Sequence, residues 1–433
     1  MSQAFLQEFE ARSATVTADA PEWLDRVRQI AIERFAGAGF PSSRDEEWRF
    51  TQVGPITQAA WRPAPAHSAI AAAQLRPFIF GHSDWSTLVF VNGSYRKELS
   101  STSPLSGVHV GSLGEALRSN GHVLEAHLGR HAPIEASSFA ALNTAMIGEG
   151  GFLHVAPHSN LPQPIHLLFV TTADAAGSAI HPRNLIVVER GARAAVIESY
   201  VTVAPGSTYW TNGVTEVSLG ADAWLEHARI QRESEQAYHV GFTHVDQQRD
   251  SHYRSFSMAM GGALARHNLH ARLNDENIET LLYGLYLTRG DQLVDNHTAI
   301  YHDHPNCRSW EVYKGVLDGR SRAVFNGKVF VQPEAQKTDA KQTNRNLLLS
   351  DSARVNTKPQ LEIFADDVKC THGATVGRLD DIALFYARSR GIPEAQAQRL
   401  LTYAFAAEVM AEVSLDPVRD ELERLVRERL EAA

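Results

Sequence analysis

The sequence predicts a mainly β protein, a β-solenoid core held between two helical sections. Three observations carry that expectation. From about Gly150 onward, short β-type runs alternate with Gly, Asp and Asn turns for more than 200 residues. No helical pattern of ordinary length interrupts them, which disfavours alternating α and β units. Turn positions also recur: Gly191, Gly220, Gly261, Gly290, Gly319 and Asp351 are separated by 29, 41, 29, 29 and 32 residues. A period of about 20–50 residues made of strands and turns points to a solenoid or to propeller blades. The alternative is an antiparallel sandwich whose common glycines fall at these steps by chance. Finally, helical patterning is confined to the two flanks, before residue 150 and after Gly377.

Taken in order, the N-terminal section (1–150) is largely helical. Leu24, Val27, Ala31 and Phe35 recur at helical spacing after Pro21, which suits a first helical position. Gly37, Gly39 and Pro41 stop that helix. A compact polar and aromatic run, Arg44-Asp45-Glu46-Glu47-Trp48-Arg49-Phe50-Thr51, follows. A strand is expected over Thr87–Asn92 with a turn at Asn92-Gly93. Helical pattern returns near Leu113–Leu128 and Phe139–Ile147.

The core (151–377) contains the β-type runs Leu185–Val188, Val196-Ile197, Val214–Leu219, Leu281–Leu287 and Val329–Val331. In a parallel solenoid each coil stacks on the one before, so inward side chains form columns. The corners favour Gly, Asn and Asp, which tolerate unusual backbone angles. The two ends expose unpaired strand edges and need a cap or a partner.

The C-terminal section (378–433) is helical again. Asp380 or Asp381 caps a helix carrying Ile382, Phe385 and Tyr386, ended by Gly391. Pro393 opens a second helix with Ala397, Leu401, Ala404 and Phe405 on one face. Asp416-Pro417 opens a third, striped by Val418, Leu422, Leu425 and Val426, with Asp420–Arg424 and Glu423–Arg427 as supporting pairs. Such stripes are expected to pack against one another; a residual apolar face would dock a partner.

Composition excludes several function classes. With 41 Lys+Arg against 50 Asp+Glu the formal charge is −9, so a nucleic-acid-binding surface is not favoured. Two cysteines, Cys307 and Cys370, rule out a disulfide scaffold and any site needing four thiolates from this chain. Met1–Ala11 has no basic region followed by an apolar core, and no run approaches the ~20 apolar residues that span a bilayer. A soluble cytoplasmic protein is the expectation.

Chemistry concentrates in two places. His297, His302, His304 and Cys307 carry iron- or zinc-ligating side chains, with His302 and His304 expected on one side of a strand. A cupin-type reading fails on spacing, because Glu311 lies seven positions after His304. The bland reading is that these histidines bond locally around a turn. The second place is Val368–Ala374, where Cys370 and His372 stand two apart and share one face of a strand. They make half of a metal site or a Cys–His pair; the bland alternative is an inert cysteine beside a surface histidine. No P-loop is present, since Gly327-Lys328 is followed by Val329, and there is no dinucleotide fingerprint or H-E-x-x-H.

Four segments carry a family resemblance. RAVFNGKVFV (Arg322–Val331), KTDAKQTNRNLLLS (Lys337–Ser350), VNTKPQLEIFADDVKCTHGATVG (Val355–Gly377) and LFYARSRGI (Leu384–Ile392) resemble the SufB/SufD family of iron–sulfur cluster assembly proteins, on its SufD side. Arg44–Thr51 is similar to that family's N-terminal segment. The resemblance implies a right-handed parallel β-helix and a complex with SufB and the ATPase SufC. It implies cluster assembly at the SufB–SufD interface, with His372 a contributor and Cys370 beside it, so that a partner completes their partial metal site. It implies SufC docking on the C-terminal helices (378–433) and a homodimer when the chain is alone. A reduced flavin is associated with such complexes, but no motif here locates one. The isolated chain is expected to hold no cofactor and to be no enzyme. The missing P-loop and the shortage of thiolates are what an accessory subunit would have. Rival readings are a stand-alone His-rich metal binder and a β-helix carbohydrate-active enzyme.

Overall fold

In the computed structural model, which describes residues 5–11, 21–80, 85–135 and 137–431, the chain winds into a parallel β-solenoid of about eight coils with helices at both ends. Each coil contributes one strand to each of two walls. The first wall stacks Arg183–Val188, Trp210–Leu219, Tyr238–Gln247, Leu264–Leu273, Leu293–His302, Arg322–Val331 and Arg354–Ile363. The second stacks Ile165–Thr171, Arg193–Thr202, Trp224–Arg232, His252–Ala259, Glu279–Thr288, Arg308–Leu317, Asp339–Leu348 and Lys369–Gly377. Within each of these ladders every neighbouring pair is parallel and in register, residue on residue.

The corners explain the repeat and its one irregular step. Where the first wall turns into the second, six successive coils each place one residue in the left-handed region: Gly191, Asp222, Asp250, Asn277, Asn306 and Lys337. Asn and Asp reach that region more easily than other non-glycine residues. Gly290 and Gly319 serve the opposite corner, also with positive φ. The glycines at 191 and 220 therefore belong to one corner and those at 261, 290 and 319 to the other. The step of 41 marks the change from one corner to the next.

The space between the walls holds the main core, including Val196, Tyr253, Leu282, Tyr286, Tyr313 and Phe325. Its large rings require bare backbone opposite. A Cβ added at Gly284 would strike the Tyr313 ring, and one at Gly315 the Tyr286 ring.

Helices cover the outer faces. Glu22–Ala38 ends at Gly39, whose φ is +66°, and buries Leu24, Ala31, Ile32 and Phe35. Together with Ser138–Ala145 and Trp48 it covers Trp210, Val240, Leu264, Leu293 and Val324 on the first wall. At the other flank, Glu394–Met410 and Asp416–Glu431 lie over Phe256, Met258, Tyr283, Leu285 and Val316 of the second wall. Their stripes thus pack on a sheet as well as on each other. Arg424 pairs with Glu421 and Glu428 rather than with Asp420, while the Glu423–Arg427 pair forms at 3.3 Å. Among the described residues no helix is long and apolar enough to cross a membrane.

The two ends of the solenoid differ. At the N-terminal end the walls begin before residue 150, with Ser86–Val91 on the second and Val108–Ser112 on the first. These short strands are followed or joined by antiparallel pairing, which closes that end. At the C-terminal end Arg354–Ile363 and Lys369–Gly377 each pair on one side only. The Arg354 N–H bonds back to Ser321 and the Phe364 N–H to Val331. By strand alternation, Pro359 then falls where an N–H would face the open side. Proline is confined to such edge positions because it cannot donate to a ladder.

Candidate functional site

Cys370 and His372 lie on the last strand of the second wall, at the open end. Their register partners are Ala340 and Gln342, whose side chains face the interior. Cys370 is half-buried and packs on the apolar group of Val329, Val331, Ala335, Ala340 and Ala365. Burial raises its thiol above the ordinary value. It is therefore held as a thiol near neutral pH, and it becomes a ligand only when a metal displaces the proton. His372 is exposed. The strand continues with Val376, an exposed valine, and the neighbouring edge with exposed Ile363 and Phe364. This end carries two potential ligands, an apolar rim and two rows of free backbone groups.

One coil below His372, Gln342 donates from Nε2 to Glu311 Oε2 at 2.7 Å. Glu311 is buried, and desolvation pushes its carboxyl up to about 7 against the opposing hydrogen bond from Gln342. Among the described residues, the side-chain carbonyl of Gln342 and the second oxygen of Glu311 have no partner. In the sequence Glu311 is marked only by its distance of seven positions from His304. The signal that marks it lies across the wall, at Gly327, where a Cβ would run into the Gln342 amide.

The other predicted group does not converge. The strand ends at His302, so His304 falls in the exposed turn and does not share a strand face with it. His302 points inward, meets Ser309 Oγ at 2.8 Å, and is held neutral by burial, its pKa near 3. His297 faces outward and pairs with Glu47 and Asp295, each at 3.0 Å. The Cys307 thiol donates to the Asp275 carbonyl at 3.2 Å, and burial pushes it up to about 11. Among the described residues, no three His, Cys, Asp or Glu side chains are grouped to hold a metal ion.

A second surface lies on the helix Asp381–Ser389. Asp380 Oδ1 accepts from the Ile382 N–H at 2.8 Å, the expected cap. No residue of this helix is buried, and Ile382, Phe385 and Tyr386 are among the most exposed apolar side chains of the protein.

Comparison with known proteins agrees with this architecture. Residues 169–405 match the SufBD core domain of SUF system FeS cluster assembly, and residues 1–167 match the SufBD protein N-terminal region. An iron-sulfur cluster assembly SufBD family protein of Synechocystis is 35% identical over 421 residues, covering 95% of this chain and 92% of its own. The iron-sulfur cluster assembly protein SufD of Escherichia coli is 31% identical over 93% of this chain and 92% of its own. SufD of Bacillus subtilis is 25% identical over 99% of this chain and 98% of its own. Both parts of the family are matched in their proper order, and the chain belongs to the SufBD family of the SUF iron–sulfur cluster assembly system.

Proposed function

We propose that this chain is a non-catalytic scaffold subunit of the Suf machinery, on the SufD side of the family. Its open solenoid end pairs edge to edge with SufB. His372, with Cys370 beside it, supplies part of a ligand set that SufB completes. The cluster is cargo of the assembly and not a resident cofactor of this chain.

The observation that carries this reading is the end of the solenoid. Two potential metal ligands sit on a strand whose outer edge is free, among exposed Val376, Ile363 and Phe364. Strand addition satisfies such an edge with main-chain hydrogen bonds and buries the rim. Three or four donors are needed for iron or a cluster, and this end offers two.

The same reading assigns Ile382, Phe385 and Tyr386 to SufC. That helix has an unused apolar face, while the two helices after it are committed to the second wall. ATP hydrolysis in such an assembly comes from the bound ATPase.

The test is reconstitution with SufB, SufC, ferrous iron and sulfide, read by visible absorbance and acid-labile sulfide. His372→Ala is expected to reduce cluster yield at least about tenfold, as removal of a ligand from a metal site does, with the complex still assembling on gel filtration. Wild-type yield from that variant would exclude the assignment.

A further inference from the structure

The run Arg44–Thr51 lies beside the first wall and reaches Lys358 on its last strand, next to the open end. Four of its side chains fasten the N-terminal section to the first wall. Glu46 pairs with Lys358 at 2.5 Å, and Glu47 with His297 at 3.0 Å. Trp48 is buried under the Arg266 guanidinium, 3.7 Å from the ring centre, and Thr51 donates to Asp295. Arg49 and Phe50 take no part in this fastening. They line a cavity of about 530 Å³ whose other walls include Arg322, Arg354 and, at the open end, Val376.

Three features of that cavity point to an anionic ligand. Arg49, Arg322 and Arg354 make no side-chain hydrogen bond or ion pair among the described residues, although the chain carries an excess of acids. Arg320, Arg378 and Lys358, by contrast, are paired, with Asp291, Asp351 and Glu46. Secondly, Arg322 and Arg354 are direct register partners on adjacent strands. Like charges opposite one another on a sheet repel, and an anion between them relieves that repulsion. Thirdly, the cavity is too large for a simple inorganic anion alone and falls within the ~300–1,000 Å³ usual for small-molecule sites. Its remaining surface is partly apolar, with Val324 and Leu293 below and the Phe50 ring 42% exposed.

We infer that this cavity binds a nucleoside diphosphate. The diphosphate bridges the guanidinium forks of Arg322 and Arg354, with Arg49 closing from the N-terminal segment; forked donors match phosphate oxygens two at a time. The flat base lies against Phe50. A partner's carboxylates would also answer to three arginines, but they would leave the apolar part of the cavity without an occupant.

The experiment is calorimetric titration of the full-length protein at 150 mM salt with ADP and, separately, with inorganic pyrophosphate. Wild type is expected to bind one ADP per chain saturably. Arg322→Gln and Arg354→Gln each weaken both ligands by about tenfold or more, the loss expected for one charge-assisted contact. Phe50→Ala weakens ADP and leaves pyrophosphate unchanged. Arg320→Gln, outside the cavity, leaves both unchanged. Thermal melting of the variants checks folding, and Arg354→Gln on the last coil serves if Arg322→Gln is unstable. Absence of saturable ADP binding by wild type overturns the inference. So does equal weakening by Arg320→Gln, which would mean a general surface-charge effect. Loss of SufB pairing in Arg322→Gln with no ADP binding by wild type would assign the arginines to a protein partner instead.

Discussion

Glu311 illustrates how a single residue acquires its character from the fold. Burial raises its carboxyl to about 7, against about 4.3 for a glutamate in an unfolded chain. Between those values the folded state keeps a proton that the unfolded state has lost. The stabilisation from this group is complete below about pH 4 and is lost as pH rises through 7. The gap corresponds to about 3–4 kcal/mol. Glu311→Gln preserves the neutral amide-like shape and removes the titration. Its unfolding free energy in urea is expected to match wild type within about 1 kcal/mol at pH 5 and to exceed it by about 2–3 kcal/mol at pH 8. An equal difference at both pH values would contradict this account. Nothing in the sequence around Glu311 announces the shift, because it comes from burial between the walls and prevails over the hydrogen bond from Gln342 one coil away. Cys370 and His372 were legible for the opposite reason. Their relation is local, a two-residue spacing on one strand, and the strand period alone puts them on one face. His302 and His304 have the same spacing, but the strand stops between them, and spacing says nothing about where a strand stops.

At the scale of elements, the helix starts and stops were readable because their signals are chemical and local. Gly39 ends the first long helix with a positive φ and Asp380 caps the helix Asp381–Ser389. What each helix packs against was not readable. An apolar stripe fits a neighbouring helix and a sheet equally well, so the sequence left open that Glu394–Glu431 covers the second wall. That placement changes which variant tests SufC docking. Removing Pro393–Ala433 would strip Phe256, Met258, Tyr283, Leu285 and Val316 of their cover and destabilise the core, so loss of binding would be ambiguous. Phe385→Asp and Tyr386→Asp touch a helix with no buried residue. Surface changes of that kind usually shift stability by less than about 0.5 kcal/mol. The double variant is expected to keep the wild-type melting temperature within a few degrees and to lose SufC capture in a pull-down. Retained capture would move the docking surface elsewhere.

For the molecule as a whole, the governing asymmetry is between a closed end and an open one. The turn residues gave the solenoid away, since six successive coils turn through a left-handed corner, and Gly, Asn or Asp supplies all but one of them at near-constant spacing. The open end is also written in the sequence, at Pro359, but as an absence of an N–H that acquires meaning only once the strand order is known. A free end of this kind has exposed main-chain donors and acceptors beside Ile363, Phe364 and Val376. In water these backbone groups are solvated, so pairing them gains little by itself; burial of the apolar rim decides whether association occurs. If SufB pairs here as proposed, then without it a second copy of the same chain can take the edge, and two identical ends would meet through a two-fold axis. The purified protein is therefore expected to sediment as a dimer at micromolar concentration. Val376→Asp with Ile363→Asp places four like charges at the dimer seam and removes the apolar area. It should shift sedimentation to monomer while leaving the far-ultraviolet circular dichroism unchanged. On the proposed reading the two-fold contact and the SufB contact use the same edge, so added SufB should dissolve the wild-type dimer in favour of a mixed pair. A dimer that survives the double substitution would locate self-association away from the last coil, and the free edge would then need another explanation.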